Sequence, residues 1–297
     1  ADISPIPANA KRLLQRDLRE KLVSFGFDEI YTFAFTGPEL MQKCGMKPDH
    51  ESIVVANPIS NDMSIMRQSL LPRTLETIAN NLRFQRQFKL FELTRTFHKK
   101  GEECEERHEL VAAVVGGDFR DLQGVVESLG ITVKPLESSH LKPWQHPGRS
   151  ASLILRGEKV GTLYEIHPTV EKAFDMKTRV TVAELDFEKL LAKGAGQKVI
   201  YKEIPKFPSV QLDISILIPK KNLAETYTKA ISKTDHELIK DIRVIDEYVG
   251  DKIEKDQRSL TYSITYRSDK ETLTEAQVTA VHHKVLENLK TQGASIR

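Results

Sequence analysis

The chain has 297 residues, 39% hydrophobic and 29% charged, with 44 Lys and Arg set against 42 Asp and Glu for a formal net charge of +2. That length suits about two domains of roughly 100–200 residues, and no apolar run approaches the ~20 residues of a membrane span, so a helical membrane protein is excluded. Two cysteines, Cys44 and Cys104, are too few for a disulfide framework and lack metal-ligand spacing, which points to a reducing cytoplasm, while the even charge balance singles out no partner.

Residues 1–10 carry no apolar signal core and no basic leader, so export is not expected. The chain opens on Ala1 rather than Met, as a processed product or a piece of a longer chain would. Leu14, Leu18, Leu22 and Phe25 fall at helical spacing and predict an amphipathic helix over 8–25, closed by Gly26. Aromatic and β-branched enrichment predicts a strand over 29–35. A second strand, 52–56, stops at Asn57-Pro58 because proline cannot donate to a ladder.

A helix is expected over 72–84, with Pro72 in its first turn. Strands follow at 88–97, 110–115, 151–155, 159–166 and 180–185, with short helices at 121–129 and 169–174. Many strands without a βαβ rhythm indicate an α+β domain on a largely antiparallel sheet. A linker is read at 192–198, where small residues and lysines replace the periodic signal.

From 202 to 297 the order is strand 210–218, helix 222–233, strands 239–249 and 258–268, helix 274–290 and a final strand 294–297. This βαββαβ order is the ferredoxin-like split βαβ arrangement. Val210, Leu212, Ile214, Ile216 and Ile218 alternate onto one sheet face with Leu260, Tyr262, Ile264 and Tyr266, under Val278, Val281, Val285 and Leu289 of the long helix. The opposite face carries Gln211, Asp213, Ser215, Thr261, Ser263, Thr265 and Arg267. It reads either as a plain solvated face or as a surface for a partner.

Several runs resemble the bacterial-type phenylalanyl-tRNA synthetase β-subunit family. In the first part these are Phe25-Gly-Phe-Asp-Glu-Ile-Tyr-Thr-Phe-Ala-Phe35, Asn57-Pro-Ile-Ser-Asn-Asp-Met-Ser-Ile-Met-Arg-Gln-Ser-Leu-Leu-Pro72, Lys89-Leu-Phe-Glu-Leu-Thr-Arg-Thr-Phe97, Asp121-Leu-Gln-Gly124, His146-Pro-Gly-Arg-Ser-Ala151 and Val160-Gly-Thr-Leu-Tyr-Glu-Ile-His-Pro168. In the last part they are Phe207-Pro-Ser-Val210 with Asp213, Asp246 and Tyr248, then Ser259-Leu260 and Tyr266-Arg-Ser268 leading to Thr272-Leu-Thr274. Together they run in family order over most of the chain.

The resemblance implies a class II synthetase-like domain over 1–192, a linker over 193–201 and a ferredoxin-fold anticodon-binding domain over 202–297. It implies no catalytic residue here. Amino-acid activation needs positive groups on the phosphates of ATP. If Glu92 is the glutamate of the second class II motif, its arginine position holds Leu90, and no Gly-rich third motif with an arginine follows residue 180. Arg95 is retained but faces no evident partner. ATP and magnesium are therefore expected on the partner α-subunit, in an assembly of two α and two β chains in the cytoplasm.

Helix 8–25 matches the class II dimerisation helix, so Leu14, Leu18, Leu22 and Phe25 either face that partner or cover their own sheet. Phenylalanine tRNA is the implied RNA partner. Lys202, Lys206, Gln211, Asp213, Arg243, Thr261, Ser263 and Arg267 are its candidate contacts, with Lys220 and Lys221 as further phosphate binders. Leu212 stands where the family usually has arginine, and no interleaved aromatics stack bases on this face, so contact is expected to be led by the backbone. The family's upstream editing domain has no counterpart here. The alternative reading is a stand-alone synthetase-like paralogue that binds RNA or protein as a regulatory module.

Other candidates read as structural. His282-His283 lies mid-helix without a ligand set, so no metal is expected. Asp62, Ser64 and Ser69 form no nucleophile arrangement, and Glu102 to Arg107 reads as an exposed charged turn.

Overall fold

Alternation along residues 88–115 builds the centre of the first unit, because each strand there offers an apolar row to both sides. The computed structural model describes residues 9–136, 138–195, 201, 203–251 and 253–297. The chain divides into two compact units, Ala1–Val199 and Ile200–Arg297.

The first unit runs α1 (Ala10–Ser24), β1 (Asp28–Glu29), β2 (Phe35–Thr36), α2 (Pro38–Lys43), β3 (Ile65–Met66), α3 (Leu71–Asn81), β4 (Phe88–Lys100), β5 (Glu103–Val115), α4 (Phe119–Ser128), β6 (Thr132–Pro135), β7 (Gln145–Leu155), β8 (Glu158–Ile166), α5 (Pro168–Ala173), β9 (Val180–Asp186) and α6 (Phe187–Ala192). Its main sheet has seven strands in the order β1-β4-β5-β9-β8-β7-β6. All neighbours are antiparallel except β1 on β4.

Each face has its own core. On one, Phe91, Leu110, Ala112, Leu163 and Leu185 pack under Leu14, Leu18 and Leu22 of α1, Leu122 and Val126 of α4, and Phe187 of α6. On the other, Leu90, Val111, Ala113, Tyr164 and Val182 pack under Leu71, Leu75 and Ile78 of α3 and Val170 of α5. A side chain fully buried in this way contributes about 1.5–3 kcal/mol.

Three expectations fail in this unit. The strand read over 29–35 breaks after β1, because the Glu92 carboxylate takes the N–H of Thr32 at 3.0 Å and its hydroxyl at 2.8 Å. Ile30 keeps one bond to β4, its N–H to the Phe91 carbonyl at 2.8 Å, but residues 31–34 leave the ladder, with Tyr31 and Phe33 exposed. The strand read over 52–56 shrinks to one bridge, Val54 to Ile65. Its Val54 stays exposed, so no burial rewards a longer ladder.

The charged run 102–107 is strand rather than turn. The β4–β5 ladder continues to Lys100 and Glu103, and the turn narrows to Gly101 (φ 64°) and Glu102. Opposite charges hold that extension, with Arg95 to Glu106 at 2.7 Å and Lys100 to Glu105 at 3.7 Å. Most of the residues read as a linker, 196–200 among them, lie outside those described.

The second unit runs β10 (Val210–Pro219), α7 (Ala224–Ser232), β11 (Ile239–Tyr248), β12 (Gln257–Tyr266), α8 (Glu275–Thr291) and β13 (Ser295–Ile296). The sheet order β11-β12-β10-β13 is the expected split βαβ topology. Ile214, Ile216, Ile218, Leu260, Tyr262, Ile264 and Tyr266 lie under Tyr227 and Ile231 of α7 and under Val278, Val281, Val285 and Leu289 of α8. A capping box starts α8, with Thr274 and Gln277 exchanging bonds. The register of β11 on β12 shifts twice, between Ile239 and Asp241 and between Val244 and Asp246.

Candidate functional site

In the first unit the second sheet face turns polar where α3 no longer covers it. Strand pairing sets two rows across the sheet. Glu92 lies beside Val111, which lies beside Glu184, which lies beside Thr162; Thr94 lies beside Glu109, which lies beside Asp186. Side chains directly opposite in a ladder share a face, so three glutamates and an aspartate line the same side of the sheet.

Glu92 is neutralised within the fold. It is 1% exposed and meets Arg67 at 3.1 Å, itself 3% exposed. Arg67 also donates to the carbonyls of Arg95 and Thr32 and to the hydroxyl of Thr94. Leu90, at the position of the missing arginine, is buried in the apolar cluster beneath α3. Arg95 pairs with Glu106 on the outer part of the β4–β5 hairpin.

The next carboxylates face a cleft of about 870 Å³, bordered by Met41, Met46, Ser69, Trp144, Glu109 and Glu184. Glu184 accepts from the Tyr164 hydroxyl at 2.6 Å and the Ser69 hydroxyl at 3.2 Å. Burial raises its carboxyl, and these two donors hold that rise back. Glu109 is pushed up to about 8, by burial first and then by the charges of Glu184 and Asp186. Burial, helped by Glu184, also lifts the Tyr164 phenol well above its ordinary value and the Cys44 thiol to about 12. Ser69, read as structural, thus lines this cleft as a donor. The signal missed in the sequence is a glutamate inside an apolar strand, at Glu109 and again at Glu184.

Of the predicted partner-facing residues on α1, Leu14, Leu18 and Leu22 are buried against their own sheet, while Phe25 is 40% exposed. The stripe therefore covers this domain, as an amphipathic helix on a sheet does. Its outward side presents Leu13 and Val23.

In the second unit Gln211, Asp213, Thr261, Ser263 and Arg243 come together on one sheet face. Pairing sets Gln211 beside Thr265, Asp213 beside Ser263, and Arg243 on the other side of Ser263. Gln211 donates to Ser263 at 2.6 Å, and Ser263 donates to Asp213 at 2.6 Å. Ser215 and Thr261 bond at 2.9 Å.

Asp241 and Asp246 join this face through their pairing with Thr265 and Thr261, which the alternation of β11 concealed because of its register shifts. Arg243 reaches Asp241 at 2.6 Å. Arg267 lies just past β12, 3.5 Å from Asp269, whose carboxyl is lowered by its bond to Lys240. Arg297 stands 5.8 Å from the ring of Tyr248, a further cation and aromatic on this unit. Lys206, Lys220 and Lys221 are exposed beside β10; Lys202 lies outside the described residues.

A large antiparallel sheet with a helix-covered face and a polar cleft, followed in the same chain by a split βαβ unit, defines an α+β protein of two units. Residues 1–187 match the family described as the phenylalanyl tRNA synthetase beta chain CLM domain, and residues 205–297 match the ferredoxin-fold anticodon binding domain. The chain belongs to the phenylalanyl-tRNA synthetase beta chain family.

Similar proteins include the phenylalanine–tRNA ligase beta subunits of Symbiobacterium thermophilum, 31% identical over 94% of this chain and 34% of that protein, and of Clostridium acetobutylicum, 30% identical over 93% and 36%. That of Halalkalibacterium halodurans is 32% identical over 95% and 38%. The chain thus spans a little over a third of the length of these relatives.

Proposed function

We propose that this chain is a non-catalytic portion of a phenylalanine–tRNA ligase β-subunit, holding a catalytic α-subunit and contacting phenylalanine tRNA. The observation that carries the reading is the pairing of two matched family domains in one chain, each with its own core. Leu90 supplies no cation for ATP phosphates, so ATP and magnesium are assigned to the α-subunit, in an assembly of two α and two β chains in the cytoplasm. Among the described residues no helix is long and apolar enough to cross a membrane.

The α-subunit would meet the outward side of α1, where Leu13, Val23 and Phe25 are exposed, rather than the buried stripe. The RNA would lie along the polar face of the second unit. Its phosphates would draw Arg243 and Arg267 out of their ion pairs and meet the exposed flanking lysines. Gln211 and Thr261 would supply neutral hydrogen bonds, whereas Ser263, 3% exposed and bonded to Gln211 and Asp213, supports the face from beneath. Asp213, Asp241 and Asp246 repel phosphate, so contact is selective in position along the face.

Size-exclusion chromatography of this chain with the matching α-subunit tests the first half. Co-elution in equal stoichiometry is expected, and separate elution would overturn it. For the RNA, a double replacement Arg243→Ala and Arg267→Ala should weaken binding and lower the salt slope by about 1 per lost phosphate contact. An unchanged affinity across salt concentrations would remove this face from the reading.

A further inference from the structure

Buried charges are ordinarily paired or neutralised by protonation. Glu184 has no such pairing within the fold. Its neighbours within the fold are neutral: the hydroxyls of Tyr164 and Ser69 donate to it, and the Trp144 side chain stands beside it and lowers its carboxyl. Among the described residues no lysine, arginine or histidine forms an ion pair with it or with Glu109, and Lys142 acts on Glu184 only at longer range. The contrast with Glu92 is direct, since that carboxylate, two strands along the same row, has Arg67 as a built counter-ion.

The two unpaired carboxylates border an open cleft rather than a sealed core. Its volume of about 870 Å³ lies within the ~300–1,000 Å³ range of small-molecule sites. Met41, Met46, Pro143 and Trp144 give it an apolar side with an indole that attracts organic cations, while its border also carries lysines, Lys47, Lys142 and Lys159 among them, so the two glutamates are an acidic part of a mixed rim. We propose that this cleft binds a small organic cation, a protonated amine on an apolar body, whose ammonium group serves as counter-ion to Glu184 and Glu109. The apolar body would rest against Trp144 and the two methionines, and the ammonium would reach the sheet floor. This goes beyond the assembly and RNA roles and depends on neither.

Trp144 is the sole tryptophan of the chain, so its fluorescence reads the cleft directly. Phenethylamine is the probe, with 2-phenylethanol as a neutral analogue of the same shape. The amine should give a saturable change in emission, confirmed by calorimetry, and the alcohol should bind at least tenfold more weakly. Glu184→Gln should weaken amine binding tenfold or more and leave the alcohol unchanged. Glu109→Gln, on the neighbouring strand β5, should weaken the amine at least threefold and gives the same answer if the first variant does not fold. Equal binding of amine and alcohol, an undiminished amine affinity in a folded glutamine variant, or no saturable response of the unmodified chain up to 10 mM would each overturn the proposal.

Discussion

Replacing Arg67 by methionine tests whether one buried cation fixes the segment that leads away from α1. Arg67 holds Glu92 at 3.1 Å and reaches the carbonyls of Thr32, Phe33 and Arg95 and the hydroxyls of Thr32 and Thr94. The variant leaves Glu92 with the Thr32 donors alone, inside a site where it is 1% exposed. Breaking a buried pair from one side costs about 3–5 kcal/mol. With a urea slope of about 2–3 kcal/mol/M for a unit of this size, the midpoint should fall by about 1–2.5 M. Trp144 lies in the same unit, so its emission follows this transition separately from the ferredoxin-like unit. A paired replacement, Arg67→Met with Glu92→Met, should cost less than the sum of the single changes, because no charge is then stranded. A midpoint shift below about 0.3 M for Arg67→Met alone, under ~1 kcal/mol on the same slope, would refute this account of the hub.

Glu109 makes the first unit sensitive to pH. Its folded-state value of about 8 lies above the ordinary 4.5, so the fold favours the protonated form. Stability should be full below pH 4.5 and fall as pH rises through 8, by up to about 1.4 kcal/mol per unit of difference. Glu109→Gln should flatten that decline in Trp144-monitored urea titrations, leaving the smaller slope from the other shifted groups, Glu184 and Glu171 among them; an unaltered slope would exclude Glu109 as its source. Gly161→Ala should destabilise the same transition by about 2 kcal/mol or more, because a Cβ there would overlap the Glu184 carbonyl across the β8–β9 ladder; a neutral result would show that the ladder can open. In the native chain a thiol reagent at pH 8 should modify exposed Cys104 and spare Cys44, which is buried with its thiol pushed up to about 12. Mass spectrometry showing prompt labelling at Cys44 would contradict that enclosure.

The second unit was legible in the sequence because β10 and β12 alternate strictly and the elements follow one another through single helices or short turns; only β11, with its two register shifts, breaks the pattern. Ile214, Ile216 and Ile218 are on the face that their spacing assigns. The first unit was less legible where one polar side chain decides the path. Nothing within residues 29–35 shows that Glu92, some sixty positions later, will capture Thr32 and end the strand. Short elements governed by tertiary contact were missed for the same reason, among them α2, β6 and α6. The charged hairpin end misled in the other direction, since polarity suggested a turn while cross-strand ion pairs sustain a ladder. The cleft floor was visible only as glutamates within apolar strands, and its meaning required knowing that β5 and β9 are neighbours.

The register shifts of β11 bear on the behaviour of the second unit in a crowded solution. This strand lies at the margin of its sheet and exposes Val244 and Ile245, with Val249 just past its end. An edge of that composition invites pairing with another chain. Two interruptions within ten residues bend the strand, and Asp241, Arg243, Asp246 and Glu247 place charges along it. The irregularity that hid Asp246 from the sequence pattern thus also acts as a guard against edge-to-edge self-association, spoiling the straight template that a second copy would need.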